Sequence, residues 1–284
     1  MKLIILLITT LFYLQNLSAC ECNNPNVALE YLSAKYVFKG KVISKEYSED
    51  KLTYSVILEV LEHYKEGEEP KNLHYKLPVN DGSSCGWEIG LGQTWLIFST
   101  VRNGRDVFSQ LCSNSRFLKR PDIEIKRISE NWDQFDIDDY IFSDFDGHWT
   151  FFTPAYPEKN IDSLIQKYYT KDYSQIEKAP SYRWNRAHIL VDIDRKGKVK
   201  QVAVYEGSSE QIRYKPDSIF RAQKYHKVKQ TRDLLVFEKD MLRAVKKIRS
   251  YTPVKIENTE ITVPYRQVMQ FEKKNDTIYS HYSR

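Results

Sequence analysis

The chain has 284 residues, 41% hydrophobic and 29% charged, so it has material for packed cores and is too apolar to be wholly disordered. At roughly 100–200 residues per domain, that length favours two domains over one. Lys+Arg 43 against Asp+Glu 38 gives a net charge of +5, with the charges interspersed, which argues against a nucleic-acid binder; 10 Gly and 10 Pro exclude collagen-like and low-complexity classes and disfavour the Gly-rich α/β nucleotide folds.

Residues 1–19 read as a signal peptide. Met1-Lys2 precedes an apolar run from Leu3 to Leu14, and Leu17-Ser18-Ala19 supplies small residues for cleavage. The run is about 12 residues, short of the roughly 20 needed to span a bilayer. The chain is therefore expected to be exported: periplasmic, outer-membrane-associated or secreted. Leu17-Ser18-Ala19-Cys20 also fits a lipobox, in which Cys20 carries a lipid anchor. In either reading Cys20 begins the mature chain.

The four cysteines are Cys20, Cys22, Cys85 and Cys112. An even number, clustered in one part of an exported chain, reads as two disulfides. A Cys20–Cys22 ring would be strained, which leaves two long-range pairings. Closing a loop of about 65 residues would stabilise by roughly 4 kcal/mol in the chain-entropy model. A zinc site is disfavoured, because C-x-C followed by two lone cysteines does not form paired knuckles. No metal or cofactor of the chain's own is expected.

Residues 20–118 read as a small β-barrel. Val27, Ala28, Tyr31 and Leu32 have helical spacing behind Pro25, with Asn26 as the N-cap. Five strands follow: YVFKGKVISKEY (36–47), LTYSVILEVLEHY (52–64), LHYKLPV (73–79), TWLIFSTV (94–101) and RDVFSQLC (105–112). Gly40 inside the first predicts a bulge or tight bend, and Asn103-Gly104 predicts a hairpin turn. Five strands in about 100 residues is the size of an OB-like barrel.

The mature N-terminal C-x-C, the short helix, YVFKGKV, Cys85-Gly86, Gly92-Gln93-Thr94-Trp95-Leu96-Ile97 and Leu111-Cys112 together resemble the tissue inhibitors of metalloproteinases and related netrin-like modules. By that resemblance Cys20 pairs with Cys85 and Cys22 with Cys112. The family's third disulfide has no cysteines here. The resemblance also implies that the free α-amine and carbonyl of Cys20 chelate the catalytic zinc of a metalloprotease, with Cys20, Glu21 and Cys22 as protease contacts. An α-amine with a pKa of about 7.7–8.0 is partly neutral at physiological pH and able to bind zinc. Glu21 stands where the family places a small or hydroxylated residue. Burying its carboxylate beside a catalytic Glu disfavours strong inhibition.

Residues 119–180 mix aromatics and acids without clean periodicity and read as a connector, with a short helix over 160–169. Asp144-Phe145-Asp146-Gly147 fails as a calcium loop, because Thr153 stands where a bidentate Glu is needed. Residues 181–274 read as a compact α+β domain. Its parts are a hairpin (HILVDID, turn 195–198, VKQVAVYEG), an amphipathic helix (LLVFEKDMLRAVKKIRSY) stopped by Pro253, and a closing strand (ITVPYRQVMQFE). The basic residues on the helix read as ordinary solvated charge. Asp192-x-Asp194 with Gly197 lacks the further ligands of an ion site. VDIDRKGKVKQVAVYEG, the run Asp240–Lys247 and YTPVKIENTEITVPYRQVMQF resemble the C-terminal domain of TonB energy transducers. An insertion lies at about 208–230, and the transducers' membrane anchor and Pro/Lys-rich linker have no counterpart. The resemblance implies a module that pairs sheet edges with a partner or with itself. Residues 275–284 read as a polar tail.

No nucleophile triad, paired-carboxylate signature, P-loop or HExxH appears, and His63, His74, His148 and His188 have no motif around them. The expectation is a non-catalytic exported or envelope interaction protein, mainly β with an α+β module. Its partners would be proteins of the envelope or extracellular space, a zinc metalloprotease among them.

Overall fold

The structure is a computed structural model that describes residues 24–80, 87–143, 152–169, 186–207, 211–212, 215–274 and 277–282. It is mainly β with short helices and divides into two compact units. One is built on 34–121; the other joins Pro25–Ser33 to Asp122–Arg284.

The first unit holds β1 (Tyr36–Tyr47), β2 (Thr53–His63), β3 (Asn72–Pro78), β4 (Thr94–Arg102), β5 (Arg105–Val107) and β6 (Arg116–Phe117). All ladders are antiparallel, in the order β3-β2-β1-β4-β5, with β6 also on β4. The first four expected strands form nearly as read, while the fifth, expected over 105–112, is a strand only over Arg105–Val107. They make a curled half-barrel, because among the described residues no ladder joins β3 to β5. Side chains bridge that gap: the rings of Tyr75 and Phe108 meet edge-on at 4.8 Å. The period-2 alternation puts Phe38, Val42, Val56, Leu58, Tyr75, Trp95 and Ile97 on the concave face as one core.

Gly40 is where the curl tightens. The β1–β2 register slips between Lys39 and Gly40, leaving Leu61 without an opposite residue. A Cβ on Gly40 would lie 2.7 Å from the Phe38 ring, so only glycine allows that approach. The Asn103-Gly104 turn also forms as the sequence predicts. Both residues have positive φ, 53° and 72°, the twist that a two-residue hairpin requires.

In the second unit, α1 (Val27–Ser33) is capped by Asn26, whose Oδ1 accepts from the amides of Ala28 (3.0 Å) and Leu29 (3.3 Å). The sequence reading counts this helix with the barrel. Here Asn26 Nδ2 donates to Arg221 O at 3.0 Å and Tyr31 packs on Trp132 at 4.4 Å, so the helix belongs to the second unit.

The stretch read as a connector also contributes to this unit. It carries α2 (Ile123–Glu130), two 3-10 turns (Trp132–Gln134, Ile137–Asp139) and α3 (Ile161–Tyr168). Its backbone bonds into later segments: Ile141 N to Gln223 O (2.9 Å), Phe142 N to Pro264 O (3.1 Å) and Thr153 N to Lys255 O (2.9 Å). Residues 144–151 and 170–185 lie outside the described residues, the Asp144–Gly147 segment among them.

A four-stranded antiparallel sheet organises this unit in the order β10-β9-β7-β8, from β7 (Arg186–Ile193), β8 (Val199–Val204), β9 (Tyr265–Lys274) and β10 (Thr277–Tyr282). Helix α4 (Val236–Val245) packs on β7. It stops earlier than its sequence pattern, so that Ser250 and Tyr251 can pair with Lys198, Gly197 and Pro157. Strand β9 starts after Pro264, which has no amide to donate. One sheet face packs Leu190, Ala203 and Val268 against Val228 of the inserted segment. The opposite face carries Ile189, Val191, Met269 and Phe271, all buried. Part of the expected polar tail is the strand β10. Among the described residues no helix is long and apolar enough to cross a membrane.

Candidate functional site

Of the predicted disulfide cysteines and protease contacts, Cys20, Glu21, Cys22 and Cys85 lie outside the described residues. Cys112 is described and is disulfide-bonded, with φ 54°. Its partner is not among the described residues, so the pairing expected from the resemblance is not placed. Around Cys112 a chain of serines ties the segment to β4. Ser113 and Ser115 share a hydroxyl–hydroxyl bond of 2.9 Å, and Ser115 Oγ accepts from Phe98 N at 2.9 Å. Ser109 Oγ accepts from Leu111 N at 3.0 Å.

The segment after Cys85 is held just as firmly. Gln93 Oε1 accepts from Gly90 N (2.8 Å) and Trp95 Nε1 (3.1 Å), and Gly92 takes the left-handed φ of 77° that its turn needs. Val42 N donates to Gln93 O and Gly92 N to Val42 O, both at 2.9 Å, pinning the turn to β1. These bonds explain the Gly-Gln-Thr-Trp motif. Trp87 packs on Trp95 and Phe108 at 5.9 and 5.6 Å. Tyr54 accepts Ile89 N at 3.0 Å, and burial raises its phenol pKa. Glu88 bonds both Lys45 and Tyr47, and these bonds lower its carboxyl pKa. Burial alone would lower the Lys45 ammonium; its bonds to Glu88 and Tyr47 outweigh that and raise it.

The second unit contains a buried ion pair. Asp192 on β7 stands opposite Arg266 on β9. Arg266 Nε donates to Asp192 Oδ1 at 2.7 Å and Nη2 to Oδ2 at 2.8 Å, with side chains 0% and 4% exposed. Nη2 also donates to His226 O at 3.2 Å, which fastens the inserted segment over the pair. Burial raises the Asp192 carboxyl above its ordinary value despite the guanidinium. Asp194, read with it as an incomplete ion site, closes the hairpin turn by accepting from Lys196 N and Lys198 N, both at 2.8 Å.

The two edges of the second sheet differ. Strand β8 is covered: Gln201 exchanges side-chain bonds with both backbone groups of Val228, and Val199 N donates to Arg249 O at 3.0 Å. Glu206, just beyond it, holds Gln230 and Thr231. Strand β10 pairs with β9 from Thr277↔Lys274 to Tyr282↔Met269 with no register shift, and among the described residues nothing pairs with its outer side. Its sequence, Thr-Ile-Tyr-Ser-His-Tyr, has no lysine, proline or bulge, the usual guards of an exposed edge. The sequence reading missed this edge. Its signal was the run of β-branched and aromatic residues, set among polar ones.

Of the histidines, His63 lies beside Phe38 at 6.5 Å, and burial lowers the His188 pKa; His148 is outside the described residues. Among the described residues no group of three or more His, Cys, Asp or Glu is placed to hold a metal ion. Neither the protein-family models nor the curated proteins compared with this chain match it.

Proposed function

We propose that this is a non-catalytic exported or cell-envelope interaction protein, in which a netrin-like curled sheet is joined to a TonB-like module that recruits a protein partner through β10. The observation that carries this reading is the edge of β10, which nothing pairs among the described residues and which carries no lysine or proline. Six residues at 3.2–3.4 Å each present about 20 Å of backbone, enough for an extended segment to add as a further strand. Main-chain bonds would supply affinity, and Tyr279, 46% exposed, would supply side-chain contact. The test places a photo-cross-linking side chain at Tyr279 or, beside the covered edge, at Tyr205, in cells that make the full chain. A discrete adduct from position 279 alone, lost in a Ser280→Lys background of unchanged melting temperature, is expected. Equal adducts from both positions, or an adduct indifferent to Ser280→Lys, would reject the reading.

A second reading is a metalloendopeptidase inhibitor that chelates the protease zinc through Cys20. It is supported by the disulfide-bonded Cys112 beside a strand β4 built on the Trp-Leu-Ile-Phe run. One residue added before Cys20 moves the amine by about 3.8 Å, too far for a zinc–nitrogen bond of about 2.0–2.1 Å. Inhibition of a panel of zinc endopeptidases should vanish with that extension and strengthen with Glu21→Thr. Inhibition that survives the extension rules chelation out.

A further inference from the structure

We propose that the second unit carries a membrane-facing surface, formed where α3 and the residues just before it meet the C-terminal end of α4 and the 195–198 turn, that binds bilayers rich in anionic phospholipid. The sequence presents these cations as dispersed solvated charge; the fold gathers them. Lys159 Nζ donates to Lys247 O at 3.4 Å. The ammonium groups of Lys167 and Lys247 each lie 5.9 Å from the Tyr168 ring. Ser250, next to Arg249, forms a β-bridge with Lys198, and Lys246 precedes Lys247 at the end of α4. All six basic residues are exposed, and none has an ion pair among the described residues. The exposed acids among them are Glu158 and Asp162, so the patch has an excess of four positive charges in a chain whose total is +5.

Two features favour a bilayer over a soluble polyanion. Tyr156 is 56% exposed and is fixed at the rim of the patch, because Thr252 N donates to Tyr156 O and Tyr156 N to Thr252 Oγ1, both at 2.8 Å. Tyr168 lies half-buried between its two lysines. Tyrosines flanked by lysines suit the headgroup layer, where the ring meets the acyl boundary and the ammonium meets phosphate. The attraction is additive and screened. Each cation near an anionic leaflet strengthens partitioning about fivefold, and the effect decays over roughly 8 Å at physiological salt. None of the residues of this surface belongs to β10, so the proposal stands or falls separately from partner recruitment.

The experiment is co-sedimentation of the full mature chain with vesicles of phosphatidylcholine alone or doped with phosphatidylglycerol. Binding to the doped vesicles only, lost at high salt, is expected. Lys246→Glu/Lys247→Glu/Arg249→Glu should weaken it by more than about a hundredfold. Lys41→Glu/Lys71→Glu/Lys76→Glu, an equal charge change on the first unit, should leave most of it. Tyr156→Ala should weaken binding while keeping its salt dependence. Melting curves confirm that each variant folds. The proposal is overturned by no binding to doped vesicles, by equal binding to neutral ones, by equal loss in the two triple variants, or by binding to soluble polyphosphate without binding to vesicles.

Discussion

Replacing Arg266 with Met leaves the Asp192 carboxylate buried without its cation. The two side chains are 4% and 0% exposed and joined by bonds of 2.7 and 2.8 Å, so solvent cannot take over the lost contacts. Removing one partner of such a pair costs about 3–5 kcal/mol. At about 2–4 °C per kcal/mol for a unit of this size, the melting temperature should fall by roughly 6–20 °C. Asp192→Leu should lose a similar amount. The double variant should recover to within about 1 kcal/mol of wild type or exceed it, because desolvation of both charges disappears together. The assay is calorimetric unfolding of wild type, both single variants and the double, read as a mutant cycle. Additive losses in the double, or single losses below about 1 kcal/mol, would refute the argument that burial outweighs attraction here.

The same carboxyl predicts a pH effect. Its folded pKa is raised above 3.8, so wild-type stability, relative to Asp192→Asn, should fall as pH rises through the interval between them. Urea titrations at a series of acidic pH values check the sign. Lys65 behaves in the opposite sense: burial lowers its ammonium to about 8 from 10.5, so stability should rise between those values, and Lys65→Met should remove the rise. Gly197 has φ 79°, and a Cβ there would lie 2.1 Å from Tyr251 O. Gly197→Ala should therefore cost more than about 2 kcal/mol in denaturant melts, whereas Gly67→Ala, with nothing within 4 Å, should cost only its backbone strain. Peptide mapping without reduction should find Cys20–Cys85 and Cys22–Cys112; Cys85 joined to Cys112 would reject that pairing.

Strands with period-2 alternation were legible because one face of each packs in the core: Tyr36, Phe38 and Val42 in β1, and Leu73, Tyr75 and Leu77 in β3. Gly40 and Asn103-Gly104 were legible because each answers a local backbone demand. What the sequence concealed depends on distant partners. Residues 140–142 and 152–158 have no period of their own because they bond edge-on to 223–225, 250–256 and 264–266. Strand count and the netrin-like resemblance point to an OB-like barrel, but the β3–β5 gap depends on register that spacing does not encode. Asp192 offered a readable signal: a charged residue inside the apolar run His-Ile-Leu-Val-Asp-Ile needs a buried partner. Arg266, 74 residues away, could not be singled out among 43 basic residues. The basic surface was hidden for the same reason, since its six cations come from four separate segments.

The central claim, recruitment through β10, is tested most directly by amide hydrogen exchange of Thr277–Tyr282. The exchange is measured in the free chain and in the complex cross-linked through position 279. Slowed exchange along β10 on complex formation, with the amides of β8 unchanged, is the expected result. Unchanged exchange along β10 in a complex that forms would contradict strand addition at that edge.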